Sequence, residues 1–332
     1  MKKRWSTLLA GAAVLSLGLV GCGGGSLSGS TESEGSTSAA AEDGSLTKIT
    51  VGILPIAPSV AVQQGIDAGT FEKHGLDVEL STSNAGAAML PAVSTGELAI
   101  AVGNPLSVMT AADKGLDMKI VTGYSASKAD GEDVNGVVVR KDSGIGGWED
   151  LAGKTTSVNA LRTQGDLTIM ESAEMAGANP KDLKFSEMPF PDMEAQLDRG
   201  NVDAVWLPEP FLSRALGDKG NELLGYPNQE AIPGLPTMVT FTSGQFAEEN
   251  PEVISKWKSA MAEVLPASDS DPDAARAMLP DFINMDAKVA EGLLMETWEA
   301  ETPIEELAKL GDLAAKFEFL EKAPDMNNLI AK

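Results

Sequence analysis

Apolar and polar positions divide the chain into an apolar leader, a stretch nearly free of apolar residues, and a long body where short apolar runs alternate with amphipathic segments. The leader, residues 8–20, follows Lys2, Lys3 and Arg4. Positive charge, then an apolar run, then a small residue is the order of a secretory signal. The run is shorter than the ~20 residues of a membrane span, and Gly11 and Gly18 break it. Residues 23–45 are dominated by Gly, Ser, Thr, Ala and Glu, with Leu27 the only larger apolar side chain. Such a stretch buries too little surface to offset its ordering entropy and predicts a flexible tether.

From Lys48 the pattern changes. Residues 49–54 form a β-branched run closed by Pro55, which predicts a buried strand. A helix is expected over 60–71, an alternating strand over 76–80, a helix over 86–93 despite Pro91, a strand over 98–102, a helix over 106–114 and a strand over 118–121. Strand and helix in strict alternation predict a mostly parallel sheet flanked by helices, an α/β fold. A second series follows: strands at 136–140, 155–158, 183–188 and 202–207, with helices over 163–176 and 193–198 and Gly177 at the C-cap of the first. Residues 237–242 are β-rich and return the chain to the first lobe. Asn250-Pro251 and Asp271-Pro272 each place a capping residue before Pro at the first helical position. The expected organisation is a signal over 1–21, a tether over 22–46, lobe 1 over 47–135, lobe 2 over 136–235, and a return to lobe 1 with C-terminal helices over 236–332.

Composition narrows the partners. The chain has 332 residues, 43% of them hydrophobic, and a formal net charge of −24; its length exceeds a single small core. Loss of the basic leader makes the remainder more acidic still. Nucleic acid is excluded as a partner, because phosphate binding needs clustered Lys and Arg, and anionic lipid surfaces are disfavoured. A small anion is not excluded, since a pocket answers to local dipoles. The single cysteine, Cys22, leaves no disulfide to form.

Catalytic motifs are poorly represented. Gly147-Trp148-Glu149-Asp150-Leu151-Ala152-Gly153-Lys154-Thr155 has one residue too many for a phosphate-binding loop and runs into a strand. Asp269, Asp271 and Asp273 lack the glycine and terminal glutamate of a calcium loop and sit where a helix start favours acids. His74 is the only histidine, which leaves no metal cluster, and no GxSxG elbow exists. The reading is a binding protein without cofactor or metal, not an enzyme.

Cys22 ends the run Leu19-Val20-Gly21-Cys22 and resembles the lipobox of bacterial lipoproteins. The resemblance implies acylation of Cys22 and an extracytoplasmic, lipid-anchored protein, held by several chains because one binds weakly. The body resembles the nitrate/sulfonate/taurine type of ABC-transporter substrate-binding protein, a group that includes thiamine-pyrimidine-precursor binders. The stretches that carry this are Gly65 with Phe71-Glu72-Lys73-His74-Gly75-Leu76-Asp77-Val78, then Gly96-Glu97-Leu98-Ala99-Ile100-Ala101, then Asp142-Ser143-Gly144-Ile145 with Asp150-Leu151-Ala152-Gly153-Lys154, and Gly200-Asn201-Val202-Asp203-Ala204 with Glu209-Pro210. Implied are a two-lobed periplasmic-binding-protein fold of type II with two hinge strands, and a monomer that serves an ABC permease and its ATPase. The implied ligand is a small organic anion such as a sulfonate, taurine, nitrate or a carboxylate, captured by lobe closure; a pyrimidine or other heterocycle is the alternative. A tethered sensor would carry the same sequence. Pyrimidine-synthase relatives of this fold depend on histidine and a cysteine-rich stretch, which this chain lacks.

Ligands of open α/β sheets sit beyond the carboxyl ends of strands, where helix N-termini present free N–H groups. The segments after the expected strands are 54–58, 83–86, 103–105, 159–165, 189–191 and 206–209. They supply the candidate ligand residues Pro55, Asn84, Gly86, Gly103, Asn104, Asn159, Arg162, Thr163, Phe190, Trp206 and Glu209. Asn84 and Asn104 serve equally well as helix caps, and Trp206 as a core aromatic. Arg162 is the candidate cation, its fork suited to oxoanions, or else an exposed loop charge. It stands where many relatives carry Gly, Ser, Thr or His. Glu209 either meets an amine or bonds its own turn.

Overall fold

The computed structural model describes residues 45–217 and 219–332. The leader, Cys22 and nearly all of the tether lie outside the described residues. The body begins with β1 (Thr47–Ile53), then α1 (Val60–Asp67), α2 (Thr70–Lys73), β2 (Leu76–Thr82), α3 (Gly86–Ser94), β3 (Ile100–Gly103), α4 (Pro105–Asp113) and β4 (Met118–Ala126). The helix expected over 60–71 is thus two. Gly69 stands between them at φ 70°, a left-handed turn that glycine takes at no steric cost.

The second series is β5 (Asn135–Arg140), β6 (Thr155–Val158), α5 (Gln164–Met175), β7 (Lys184–Glu187), α6 (Phe190–Asp198), β8 (Ala204–Pro208), α7 (Phe211–Gly217), β9 (Asn221–Gly225) and α8 (Pro227–Ala231). The chain then returns through β10 (Pro236–Ser243), α9 (Gly244–Glu249), α10 (Pro251–Ser270), α11 (Pro272–Ile283), α12 (Ala287–Glu291), β11 (Thr297–Trp298), α13 (Ile304–Lys316) and α14 (Met326–Leu329). Asp271 caps α11 as expected, accepting from the Ala274 N–H at 3.1 Å. Asn250 does not cap α10; its side chain donates back to the Phe246 carbonyl.

Two sheets result. The first has the order β11-β4-β10-β3-β1-β2 and the second β7-β6-β8-β5-β9. β1 runs parallel to β2 and β3, and β6 parallel to β7 and β8. The strands next to the crossings, β4, β5 and β10, run antiparallel to their neighbours. The sheets are therefore mixed: parallel where βαβ units build them, antiparallel where the chain passes between them.

The C-terminal segments pack on the first sheet. Trp257 of α10 stacks on Phe71 with ring centroids 5.1 Å apart and donates to Thr240 Oγ1 at 3.2 Å. Tyr124 Oη and Trp298 Nε1 both donate to the Pro58 carbonyl, at 2.9 and 3.1 Å. Buried indole and phenol groups need such partners.

The chain crosses between the sheets twice, after β4 and before β10. The Ser127 N–H donates to the Leu235 carbonyl at 2.9 Å, which lays the two crossings side by side. Asp133 is buried in the first crossing and gathers it, accepting from Ser127 Oγ and from the Lys128 and Val134 N–H groups. Burial pushes its carboxyl up, and these bonds oppose the rise. Among the described residues, no helix is long and apolar enough to cross a membrane.

Candidate functional site

A small cavity, about 50 Å³, opens between the two sheets. It lies beyond the carboxyl ends of parallel strands, where α/β sheets hold ligands. Leu54 and Ile56 follow β1, Gly86 and Ala87 begin α3, and Asn104 and Ser107 begin α4. Across from them stand Asn159 directly after β6, Thr163 and Gln164 at the start of α5, Phe190 at the start of α6, and Trp206 on β8. Asn135, Asn228, Thr237, Met238 and Glu296 close the end nearest the crossings.

Close backbone approach shapes the first wall. A Cβ on Gly103 would stand 2.9 Å from the Gly86 Cα, so β3 and the α3 start meet only because both residues are glycine. The start of α3 has no side-chain cap, and neither has that of α6. The start of α3 presents the Gly86 and Ala87 N–H groups to an acceptor, Ala88 already bonding the Ala85 carbonyl; at α6 Pro191 has no N–H and Asp192 bonds the Pro189 carbonyl, which leaves the Phe190 N–H. The start of α5 is already occupied: the buried Asp166 carboxylate accepts from the Arg162 and Thr163 N–H groups at 2.6 and 2.8 Å. Burial raises Asp166 to about 6 against those bonds.

Among the described residues, three buried side-chain polar groups that line the cavity have no hydrogen-bond partner: Ser107 Oγ, Trp206 Nε1 and Asn228 Nδ2. All three can donate. Trp206 packs beside Phe190, their rings 6.0 Å apart and tilted by 47°, and Gly165 lies against its indole face. Polar contacts join the two walls across the cleft. Asn104 Nδ2 donates to Gln164 Oε1 at 2.5 Å, and Asn159 Nδ2 donates to the Asn84 carbonyl at 3.3 Å. Among the described residues no Lys, Arg or His lines the cavity, and no group of three or more metal-ligating side chains occurs.

Glu296 is the one carboxylate in the lining. It is buried and accepts from Thr237 Oγ1 at 2.8 Å. Burial raises it to about 7; Ser125, Thr237 and Asn135 favour the charged form, while the charge of Asp133 opposes it. Near neutrality the carboxyl is therefore protonated for much of the time.

The structure brings together Gly86, Asn104, Asn159, Thr163, Phe190 and Trp206 around one cavity. Five other expected ligand residues stand elsewhere. Pro55 and Asn84 are exposed, and Asn84 contributes only its carbonyl to Asn159. Gly103 lies behind Gly86 and serves packing. Arg162 points away: at φ 57° its backbone is left-handed. Its guanidinium donates to the Glu318 carbonyl at 2.5 Å and lies 4.8 Å from the Phe319 ring centroid. Glu209 is buried behind the wall, where it accepts from the Ser213 N–H and Oγ at the start of α7; burial raises it to about 6. Sequence reasoning passed over Ser107, Asn135, Asn228, Thr237, Met238 and Glu296. Ser107 lies two residues past the 103–105 segment, Asn135 begins β5 instead of following a strand, and Glu296 is hidden among many acids.

The model of the NMT1/THI5-like family matches residues 61–275. A Bacillus subtilis (strain 168) protein assigned as aliphatic sulfonates-binding is 26% identical over 295 residues, covering 88% of this chain and 86% of its own. Three solved structures share the fold. The periplasmic aliphatic sulphonate binding protein SsuA of Escherichia coli is 17% identical with a TM-score of 0.68, covering 86% of this chain and 98% of its own. The alkanesulfonate-binding SsuA of Xanthomonas axonopodis pv. citri, bound to MOPS, is 16% identical at 0.70, covering 86% and 97%. The periplasmic nitrate-binding protein NrtA of Synechocystis PCC 6803 is 13% identical at 0.70, covering 85% and 84%. With two mixed sheets, a cavity between them and a family match over most of the body, this chain belongs to the NMT1/THI5-like family and has the periplasmic-binding-protein fold.

Proposed function

We propose that this protein is the extracytoplasmic substrate-binding component of an ABC importer, capturing a small sulfonate-like oxoanion by closing its lobes around it. The observation that carries the reading is the set of unpaired buried donors on Ser107, Trp206 and Asn228 beside the uncapped start of α3 and the Phe190 N–H of α6. Each unmade bond costs about 1–3 kcal/mol. A ligand whose oxygens only accept removes that cost in several places at once. A cation is not required, because oriented N–H dipoles in a desolvated cavity hold negative charge. Glu296, protonated for much of the time near neutrality, donates to such a ligand in that form. The sulfonate- and nitrate-binding names of the relatives support the same ligand chemistry.

Closure follows from contacts to both walls. A ligand that touches Gly86 and Trp206 together favours the state in which they face one another. The lobes run over 47–135 with 236–332, and over 136–235. Acylated Cys22 and the glycine-serine segment behind it hold the lobes, as a monomer, at the membrane beside the permease and its ATPase; Cys22→Ser is expected to release the protein from cells. The role is binding rather than catalysis. The test is a thermal-shift screen with ethanesulfonate, taurine, nitrate, simple carboxylates and a thiamine-precursor pyrimidine. A specific ligand raises the melting temperature by mass action. A shift with the pyrimidine alone would overturn the reading.

A further inference from the structure

Asn228 lines the cavity from α8, 1% exposed and with its Nδ2 unpaired. A side-chain amide has two ends, an NH2 group that donates and an oxygen that accepts. Turned over, the same side chain would aim its oxygen at the cavity and repel an anion. Its orientation is what makes Asn228 a donor, and that orientation is set behind the wall. Thr168, fully buried on α5, donates from Oγ1 to Asn228 Oδ1 at 3.0 Å. Thr168 Oγ1 also stands 2.9 Å from the Gln164 carbonyl, but a hydroxyl carries one proton. That carbonyl lies in the first turn of α5, where the helix ladder already supplies the Thr168 N–H. The amide oxygen has no second donor among the described residues, and a buried acceptor left unpaired is costly. The proton therefore goes to Asn228.

Resting on the oxoanion reading of the cavity, we infer that Thr168 is a positioning residue: its hydroxyl engages the Asn228 oxygen and so commits the amide N–H groups to the ligand. Thr168 itself does not line the cavity and acts only through Asn228. Both residues belong to the second lobe, on α5 and α8, so their bond does not depend on closure. The donor is aimed before a ligand arrives, and capture needs no reorientation of it. Without the hydroxyl the amide oxygen has no donor behind it and is free to turn into the cavity. The site then loses a donor and gains an acceptor that competes with the ligand's own oxygens.

The experiment is a double-mutant cycle read by calorimetric titration with ethanesulfonate, using the full chain, Thr168→Val, Asn228→Ala and the two combined. Thr168→Val keeps the shape of the side chain and removes the hydroxyl. It is expected to weaken binding about tenfold or more, the worth of a hydrogen bond to a charged group. Thr168→Ser, which keeps the hydroxyl, is expected to stay within about twofold of the parent, the spread of unrelated substitutions. In the Asn228→Ala background, Thr168→Val is expected to change affinity by less than about twofold, because the residue it acts through is gone. A loss that persists undiminished in that background would show that the substitution acts by disturbing α5, and would overturn the inference. Parental affinity in Thr168→Val would overturn it too, while leaving the cavity reading intact. If Thr168→Val does not fold, Thr168→Ala takes its place in the cycle. Failure of the parent to bind ethanesulfonate would overturn both the cavity reading and the inference.

Discussion

Asn104 donates its side-chain amide to Gln164 Oε1 across the cleft at 2.5 Å, and Gln164 Nε2 donates in turn to the Pro236 carbonyl at 3.1 Å. Asn104 also caps α4, accepting from the Leu106 N–H at 2.9 Å. One side chain thus ties the helix start in the first lobe to the first residue of α5 in the second, and that residue to the strand entering the return crossing. The link is made only when the lobes face each other. Gln164→Ala is expected to shift the protein toward open states and to weaken ligand binding about fivefold, the worth of a net hydrogen bond of ~1 kcal/mol. Calorimetry gives the affinity, and small-angle scattering without ligand should show a larger radius of gyration.

Trp206 offers an indole N–H that nothing in the protein accepts. A hydrogen bond to a charged group contributes about 1.5–3 kcal/mol. Trp206→Phe keeps the apolar contact with Phe190 but removes that donor, so sulfonate affinity should fall about ten- to a hundredfold while thermal stability changes little. The parent's tryptophan emission should respond to ligand, and the variant's response should largely vanish.

Gly165 lies in α5 beneath the Trp206 ring, where an added Cβ would come within 2.8 Å of the ring carbons. Glycine to alanine in a helix ordinarily gains about 1 kcal/mol. Here a rigid indole must move into the cavity, so Gly165→Ala is expected to lose about 1–3 kcal/mol of stability by overpacking and to weaken ligand binding. Denaturant melts with and without ligand separate the two effects.

Arg162, the expected anion partner, is turned outward because Asp166 holds its N–H in a left-handed turn that sends the guanidinium to Glu318 and Phe319. Arg162→Ala removes no ligand contact but does remove a bond between the lobes, so ethanesulfonate affinity should fall by no more than about fivefold, the worth of one net hydrogen bond, where loss of a direct contact to the anion would cost more than about tenfold. Titration calorimetry decides it.

Glu296 gives a pH dependence of defined sign. Its pKa in the folded protein is about 7, against a reference of 4.5, so the folded state binds this proton more tightly than the unfolded state. The stabilising contribution is complete below the unfolded value and is lost as pH rises through 7. Asp133, Asp166 and Glu209, all raised by burial, act in the same direction. The melting temperature without ligand should therefore rise as pH falls from 8 toward 5.5, and Glu296→Gln should flatten part of that slope. Sulfonate affinity should rise over the same interval in the parent and hold steady in the variant.

The alternation of 49–54, 76–80 and 98–102 with amphipathic segments made the βαβ units legible: β1 and β3, inside the sheet, are short apolar runs, and β2 at its edge alternates apolar and polar positions. What the pattern could not express is direction. Nothing in 118–121 or 237–242 tells that β4 and β10 lie antiparallel, since a strand buried on both faces reads alike either way. The same limit applied to the site. Gly86, Asn104, Asn159, Thr163, Phe190 and Trp206 lie at or after strand ends, where that rule looks, and line one cavity. Asn135, Thr237 and Glu296 reach the cavity through the crossings and the C-terminal return, which is a property of the closed topology and not of local sequence. Arg162 was misplaced for a related reason: residue type chose it, while the backbone turn at φ 57° decided where it points.

A cavity lined by dipoles inside a chain of formal charge −24 separates the two rates of capture. An approaching anion meets a repulsive exterior field that salt screens over roughly 10 Å at ordinary ionic strength. Once inside, it is held by short-range N–H contacts that salt does not reach. Association should quicken as salt is added while dissociation stays constant, so the protein would bind anions more tightly in saline surroundings than in dilute ones, the opposite of a site built around arginine.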